Sequence, residues 1–437
     1  MEKDPRAFVS ERPMAPIQIA AVVLCVVLNA LDGFDVLSIS FASPGVAAEW
    51  GIDRAALGIV LSMELIGMAA GSVVLGSLAD RWGRRPIVLF CLTVMAAGMG
   101  LAAVAPDVGT LSAYRLITGL GIGGMLATTN AVVAEFANAR RRQLAVALMA
   151  GGYPLGAIVG GSISSLLLLD GGDWRAIFVF GAIVATVLIP VVWLFLPETV
   201  AFLVERRPTR ALERTNAVLR RIGADKVGAL PEIDAAGARP GVAALFQPAL
   251  ARTTVLLTFA YFAHVMTFYF ILKWIPKIVV DMGFEPARAG SVLVWANVGG
   301  ALGALALSLL TQRYAVRSLV VGAMLLAAVL VTLFGRGQSD LAGLSLMAGA
   351  AGFFTNAAIV GLYAVFAQSF PTAVRAGGTG FVVGIGRGGS ALGPILAGYL
   401  FQTGVGLQGV AVAMAMGSLL GALALLSLRA PATSPST

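Results

Sequence analysis

The first apolar stretch of the chain reads PIQIAAVVLCVVLNALDGFDVLSISFASPGVAA (Pro16–Ala48), and it contains two carboxylates, Asp32 and Asp35. A membrane-spanning helix needs about 20 predominantly apolar residues, so the stretch is long enough to cross a bilayer. Similar runs recur along the 437 residues, of which 58% are hydrophobic and 12% are charged. Soluble domains carry roughly 25% charged residues. The sequence therefore predicts an all-α membrane protein whose backbone polar groups are paired within helices.

Apolar segments of this kind occur twelve times, separated mostly by short polar turns. One long polar stretch, 197–251, follows the sixth segment, and within it ERRPTRALERTNAVLRRIGADK predicts a short amphipathic helix at a membrane surface. The predicted segments are 17–42, 55–78, 86–105, 109–134, 143–169, 174–196, 252–280, 287–310, 317–334, 340–368, 374–402 and 405–429.

The two sets of six segments resemble each other in sequence. GSLADRWGRRP (Gly76–Pro86) aligns with SLLTQRYAVRS (Ser308–Ser318) at an offset of 232, and AEFANARRR (Ala134–Arg142) aligns with AQSFPTAVR (Ala367–Arg375) at an offset of 233. Nearly equal offsets at separate places predict two pseudo-symmetric six-helix halves, an arrangement found in several transporter folds. The predicted regions are a tail 1–16, a first half 17–196, a central loop 197–251, a second half 252–429 and a tail 430–437.

The distribution of basic residues predicts the orientation in the membrane. With both ends placed inside, 22 of the 30 Lys and Arg residues face the cytoplasm, including Lys3, Arg239 and Arg429. We therefore expect a multi-pass protein of the cell inner membrane with cytoplasmic termini, and the net charge of +8 needs no nucleic-acid partner. No spacing of His or Cys residues indicates a metal site or a cofactor, and we expect a monomer.

A charged group in the middle of a membrane helix costs roughly 2.5–3.5 kcal/mol on insertion scales, so each one needs a reason. Asp32 and Asp35 are three residues apart and share one helical face. Two neighbouring carboxylates do not both ionise readily away from water, which makes the pair a candidate proton carrier. The alternative is that one of them pairs with Arg115 and joins two helices. Gly33 between them permits either close packing or a local break.

Arg115 keeps its charge and needs a counter-ion, for which Asp35 or Asp32 is the expected partner. Glu135 is a less favoured partner, and the role of Arg115 is either structural pairing or proton coupling. Glu64 is open to two interpretations, a second protonation site or the partner of one of the cations.

Arg387 lies among glycines in GFVVGIGRGGSALGP of the eleventh segment. A guanidinium binds a carboxylate in bidentate fashion, so Arg387 is a candidate substrate-binding residue or one member of a salt bridge between the halves. In the seventh segment, Phe268 and Tyr269 are candidates for stacking on an aromatic substrate, or else interfacial anchors. His264 nearby is a candidate for substrate binding or proton relay, or a packing residue.

GSLADRWGRRP resembles the signature loop of the major facilitator superfamily, G-x-x-x-D-R-x-G-R-R. Within that superfamily, D-G-F-D (Asp32–Asp35) and FPTAVRAGGTGFVVGIGRGGSALGP (Phe370–Pro394) resemble motifs of the aromatic acid:proton symporters. The resemblance implies a twelve-helix transporter, not an enzyme, that imports a benzoate-type or hydroxybenzoate-type acid for aromatic catabolism. Relatives in the family also carry non-aromatic acids.

The same resemblance assigns roles to individual residues. It implies that Asp32 and Asp35 are needed for proton-coupled uptake, and that Arg115, Glu135, Arg375 and Arg387 support binding or the transport cycle. The gating-loop residues that it implies are Gly76, Asp80, Arg81, Gly83, Arg84, Arg85 and Arg375. The partners are then a small carboxylate, protons and the bilayer.

Three other functions remain as alternatives. A proton-driven exporter of this fold usually carries Gly-Pro in its fifth helix, where this chain has Gly156–Ala157. A receptor that senses the acid usually carries long soluble extensions, which are short here. A membrane enzyme is disfavoured, because the sequence has no Ser/His/Asp set, metal cluster or phosphate-binding loop.

Overall fold

The structure is a computed structural model that describes residues 4–231, 242–337, 340–371 and 374–428. These residues are helical apart from turns and loops, and they contain no strand, so the predicted all-α class is confirmed. The predicted tail 430–437, part of the central loop, and Lys3, Arg239 and Arg429 lie outside the described residues.

The described residues form fifteen α-helices, and twelve of them are long and apolar enough to cross a membrane. These twelve, α2–α7 and α10–α15, confirm the predicted number of spans. The helices are α1 (Pro5–Glu11), α2 (Pro16–Trp50), α3 (Arg54–Trp82), α4 (Arg84–Ala103), α5 (Val108–Phe136), α6 (Arg142–Leu167), α7 (Arg175–Phe195), α8 (Val200–Arg206), α9 (Ala211–Arg221), α10 (Ala251–Asp281), α11 (Pro286–Leu310), α12 (Val316–Phe334), α13 (Leu341–Ser369), α14 (Arg375–Gln402) and α15 (Leu407–Leu426).

Polar residues beside the apolar segments determine several helix ends. Asp107 caps α5 by accepting a hydrogen bond from the main-chain N–H of Thr110 at 2.9 Å. Asp340 caps α13 in the same way through Gly343 at 2.5 Å. A side-chain oxygen at this position satisfies one of the N–H groups that a helix leaves without an internal partner. The caps explain why these helices begin where hydropathy first rises.

The central loop contains the predicted amphipathic helix, which is α9. It also contains α8, and the short helix α1 near the start of the chain packs against both. Apolar side chains from the three helices form small buried clusters that join them, including Val9, Val200 and Val218 in one and Phe8 and Leu219 in another. The sequence pattern predicts α9 but neither α1 nor α8.

The helices divide into two compact units. Unit 1 contains Met1–Ala42 with Met63–Ala235, and unit 2 contains Ser43–Ser62 with Ala236–Thr437. In unit 1, α4 packs against α5 and α7, and in unit 2, α12 packs against α13 and α15. The third membrane helix of each set thus contacts the fourth and sixth, as expected for a duplicated six-helix arrangement. The predicted halves differ from the units, because the end of α2 and the start of α3 group with unit 2.

Candidate proton and substrate sites

Asp32 and Asp35 lie on α2, inside unit 1. Both side chains are 0% exposed, and their spacing places them on one face of the helix. None of their four carboxylate oxygens has a hydrogen-bonding partner among the residues that the structure describes. An ionised carboxylate buried in this way is costly unless it is paired and hydrogen-bonded. The two side chains therefore have the burial and the open acceptor positions that proton binding requires.

Close packing against α6 holds the aspartates in the interior. A Cβ atom added at Gly33 would lie 2.0 Å from the main-chain oxygen of Tyr153, and one added at Gly156 would lie 1.7 Å from that of Ala30. Only glycine at these positions allows the two backbones to approach so closely. The sequence left two roles open for Gly33, close packing or a local break. Helix α2 is continuous through Gly33, so the role in the structure is close packing.

Arg115 of α5 is also fully buried, and its counter-ion is Glu64 of α3. The predicted partner, Asp35 or Asp32, is therefore wrong. Arg115 does approach Asp35, but Nη2 donates to the main-chain oxygen of Asp35 at 2.8 Å and not to its carboxylate. The structure thus assigns Glu64 the role of partner to a cation, one of the two that the sequence left open. We call Asp32, Asp35, Glu64 and Arg115 the buried charge cluster.

The ion pair depends on close contact between α3 and α5. A Cβ at Gly119 would lie 2.1 Å from the main-chain oxygen of Glu64, and a Cβ at Gly67 would lie 2.2 Å from that of Leu116. The glycines of YRLITGLGIGG therefore bring the backbone of α5 against α3 at the turn that carries Glu64. The spacing between helices, and not the local sequence around Arg115, selects its partner.

The signature loop between α3 and α4 is organised by Gly83 and Glu198. Gly83 has φ 107°, which favours glycine, and an added Cβ would lie 2.3 Å from Glu198 Oε2. The carboxylate of Glu198 accepts hydrogen bonds from the main-chain N–H groups of Arg84 at 3.0 Å and Arg85 at 3.3 Å. Glu198 thus caps the start of α4 from the segment after α7. This role of Glu198 was not predicted from the sequence.

Burial raises the pKa of Glu198, against the opposing effect of its backbone hydrogen bonds. When the pKa of a carboxyl group is higher in the folded protein than its unfolded value of 4.5, the group contributes its full stabilisation at pH values below 4.5. Its contribution is lost as the pH rises through the folded pKa. Glu198→Gln removes the pH-dependent contribution of this carboxyl group. We therefore expect the stability of the variant relative to wild type to increase as the pH rises. Thermal unfolding in detergent across that range measures the effect, and parallel curves would contradict it.

Removing the cap has a separate expected effect. Glu198→Ala leaves two N–H groups at the start of α4 without their acceptor, and loss of a capping side chain costs about 0.5–2 kcal/mol. We expect the thermal midpoint of this variant to fall at every pH. Glu205→Ala provides the matched control, because the side chain of Glu205 is 59% exposed and lies on neighbouring α8. Equal midpoints for the two alanine variants would show that Glu198 is not a cap.

The other loop residues form a second ion network. Arg84 contacts Glu135 at 2.9 Å and Asp80 at 3.1 Å, so this arginine joins the ends of α3, α4 and α5. Glu135 is 20 residues beyond Arg115 on α5, about 30 Å along a helix. The structure therefore places Glu135 of α5 in contact with the signature loop and not with the buried charge cluster. Arg81 is exposed, and Gly76 packs on Ala127 of α5.

Arg387 of α14 lies beside the aromatic face of α10 in unit 2. It is half-buried, and its neighbouring glycines pack on α10: a Cβ at Gly386 would lie 2.0 Å from the ring of Tyr261, and one at Gly388 would lie 3.2 Å from that of Phe262. The hydroxyl of Tyr261 is 3.1 Å from that of Tyr363 on α13. A guanidinium and two phenols in one region are suited to an aromatic carboxylate. Tyr363 was not predicted, since nothing local marks its proximity to α10.

The remaining predicted residues of unit 2 have different environments. His264 is fully buried, with Nδ1 2.9 Å from Ser418 Oγ and Nε2 2.9 Å from the main-chain oxygen of Thr355. A role in substrate binding would require one of these bonds to break. Phe268 and Tyr269 are partly buried and form an edge-to-face ring pair with centroids 5.2 Å apart. Arg375 is exposed at the start of α14, where its Nε donates to the main-chain oxygen of Phe370 at 3.3 Å.

Twelve membrane helices in two compact units, with ionisable groups buried inside the helices, define a multi-pass membrane transporter. The sequence model of the Major Facilitator Superfamily matches residues 25–293 and 257–437, and the chain belongs to that superfamily. The predicted membership is confirmed, and the chain is accordingly a transporter and not an enzyme.

Individual relatives extend this result. The chain is 31% identical over 428 residues to the 4-hydroxybenzoate transporter PcaK of Pseudomonas aeruginosa, covering 97% of this chain and 95% of that protein. It is 30% identical over 404 residues to the 3-(3-hydroxy-phenyl)propionate transporter of Escherichia coli, covering 92% and 91%. The predicted resemblance to aromatic acid transporters is thus confirmed.

A solved structure supports the fold. The partially occluded, inward-open structure of the xylose transporter XylE from E. coli matches with a TM-score of 0.72 over 96% of this chain and 99% of that chain. Its sequence identity is 15%, so the likeness concerns the fold alone.

Proposed function

We propose that the protein is a proton-coupled symporter that imports an aromatic carboxylate of the benzoate or hydroxybenzoate type. The observation that carries the proposal is the pair Asp32 and Asp35, two fully buried carboxyl groups whose oxygens have no hydrogen-bonding partner among the described residues. Such groups default to a functional role in a membrane helix, and proton transfer suits them. The names of the two relatives supply the substrate class, since both describe transporters of hydroxylated aromatic acids.

The region around Arg387 supports the substrate side of the proposal. The guanidinium would hold the carboxylate in bidentate fashion, and the rings of Tyr261 and Phe262 would contact the aromatic ring. The phenol pair Tyr261–Tyr363 offers a donor and an acceptor to a ring hydroxyl. Binding and protonation together would favour the change between outward and inward access, as alternating access requires. The basic residues favour cytoplasmic termini in the inner membrane.

Counterflow in proteoliposomes tests the substrate class without any proton gradient. Vesicles loaded with unlabelled 4-hydroxybenzoate should take up the labelled acid transiently, and external benzoate-type acids should compete. Aliphatic carboxylates of similar charge and the sugar xylose should not compete. Counterflow supported equally well by an aliphatic acid would replace the aromatic assignment with a non-aromatic one, and absence of counterflow with any aromatic acid would contradict the proposal.

The assigned role of Arg387 yields a further prediction. Arg387→Lys keeps the charge but loses the planar fork, so one of two charge-assisted hydrogen bonds to the carboxylate should be lost. Such a bond is worth about 1.5–3 kcal/mol, which corresponds to a tenfold to hundredfold weaker apparent affinity in counterflow. Arg336→Lys, at an exposed arginine of unit 2, is the matched control and should bind normally. Unchanged affinity in Arg387→Lys would remove the residue from the substrate site.

A further inference from the structure

The contacts of Arg115 leave its guanidinium committed to groups other than the aspartate carboxylates. Its Nη2 pairs with the carboxylate of Glu64 and also donates to the main-chain oxygen of Asp35 at 2.8 Å. Its Nη1 lies 3.0 Å from the sulfur of Met99, and its Cζ lies 5.3 Å from the ring centroid of Phe178. All of these contacts are made at 0% exposure of the Arg115 side chain.

Among the described residues of α4, α6 and α7, none places another fixed charge against the aspartates. On α4, the thiol of Cys91 is fully buried near Asp32, and a thiol of ordinary acidity is uncharged at neutral pH. Helix α6 places its backbone at Tyr153 against the turn that carries both aspartates. On α7, Gly181 faces Asp35, where an added Cβ would lie 3.3 Å from Oδ1. The charges of the site are therefore those of the buried charge cluster.

Charge counting then determines how many protons the cluster holds. Three carboxylates and one guanidinium carry a net charge of −2 when all are ionised, and uncompensated charge is costly in a buried site. Arg115 stays protonated at any physiological pH, and Glu64 neutralises it. Two protons complete neutrality. Asp32 and Asp35, whose carboxyl groups have no hydrogen-bonding partner among the residues that the structure describes, are the positions that accept them.

We propose that Glu64 is a positioning residue of the proton site: by engaging Arg115, it leaves Asp32 and Asp35 to bind one proton each, so that two protons accompany each substrate anion. The inference rests on the proposed proton-coupled uptake. With a monoanionic substrate, two protons carry a net charge of +1 inward in each cycle. Transport is then driven by voltage as well as by the pH gradient.

Removing the carboxylate of Glu64 should change this ratio. In Glu64→Gln, the guanidinium loses its counter-ion and is already bonded to the main chain of Asp35, so we expect it to pair with the Asp35 carboxylate. That pairing holds one aspartate ionised throughout the cycle. One proton then accompanies one monoanion, and transport becomes electrically neutral.

The test is accumulation of labelled 4-hydroxybenzoate in proteoliposomes under an imposed inside-negative potential, with equal pH on both sides. Wild type should accumulate about fifty-fold more acid for each 100 mV, because one net charge crosses per cycle. Glu64→Gln should show no voltage-driven accumulation, yet should still accumulate the acid under an inward proton gradient. Glu64→Asp keeps the carboxylate and should restore the voltage response. Glu213→Gln, at a side chain that is 75% exposed, is the matched control.

The possible outcomes distinguish the two-proton ratio, the role of Glu64 and the proposed function from one another. Wild-type uptake that responds to the proton gradient but not to voltage would overturn the two-proton ratio and leave the proposed function intact, whether or not the variants fold. A Glu64→Gln transporter with the full voltage response would overturn the role of Glu64. Wild-type protein that responds to neither force would overturn the inference together with the proposed function on which it rests.

Discussion

Replacing both Asp32 and Asp35 with asparagine should abolish concentrative uptake while leaving the protein in the membrane. Both side chains are fully buried and make no hydrogen bonds among the described residues, so an amide of nearly the same shape replaces each without breaking a contact. An amide neither takes up nor releases a proton in the physiological range. The internal acid concentration should therefore rise no higher than the external one, even under a strong inward proton gradient.

Counterflow and a matched control separate loss of coupling from loss of folding. The Asp32→Asn/Asp35→Asn double variant should retain counterflow of labelled acid, because exchange requires no net proton movement. Asp225→Asn changes a side chain that is 88% exposed and should accumulate the acid normally. Concentrative uptake by the Asp32→Asn/Asp35→Asn double variant would exclude the pair as the proton carrier.

The second large effect concerns the contact between α2 and α6. Gly156→Val should sharply reduce the stability of the protein in detergent, because even the Cβ of valine would lie 1.7 Å from the main-chain oxygen of Ala30. Backbone atoms do not move aside as a flexible side chain does, so α6 must shift away from the helix that carries the aspartates. Overpacking a well-packed core destabilises a protein by about 1–3 kcal/mol. A clash with backbone atoms should cost at least the upper value of this range.

Gly151→Val is the control for this prediction, since Gly151 lies on the same helix and an added Cβ there has no atom within 4 Å. Both substitutions introduce the same β-branched residue into α6, so the change in helix propensity is shared. Only Gly156→Val should lower the thermal midpoint strongly. Similar midpoints would mean that the close approach of α2 and α6 does not stabilise the unit.

Hydropathy was sufficient to predict the twelve spans, because each span is a continuous apolar run. It was less informative about where helices end. Helix α2 continues through Pro44 to Trp50, beyond the predicted end at 42, because a helix extends past the point where its side chains stop being apolar. The short helices α1 and α8 also escaped prediction, since their apolar residues are too few to form a recognisable pattern and are buried only by packing on each other.

The candidate site was predictable only where chemistry is local in sequence. Asp32 and Asp35 could be recognised from the sequence as candidate site residues, because two acids in one apolar segment need an explanation. The partner of Arg115 could not be predicted in this way, because Glu64 lies on α3 and both aspartates lie on α2, and glycine contacts determine how closely α3 approaches α5. The same reasoning applies to Tyr363, which comes near Tyr261 only through the packing of α13 on α10.

The most direct test of proton-coupled uptake is accumulation of labelled 4-hydroxybenzoate by wild-type proteoliposomes under an imposed inward proton gradient, with and without a protonophore. If uptake is proton-coupled, the internal concentration should rise well above the external one and return to equality when the protonophore is added. Uptake that only equilibrates the acid, or accumulation that the protonophore does not affect, would contradict it.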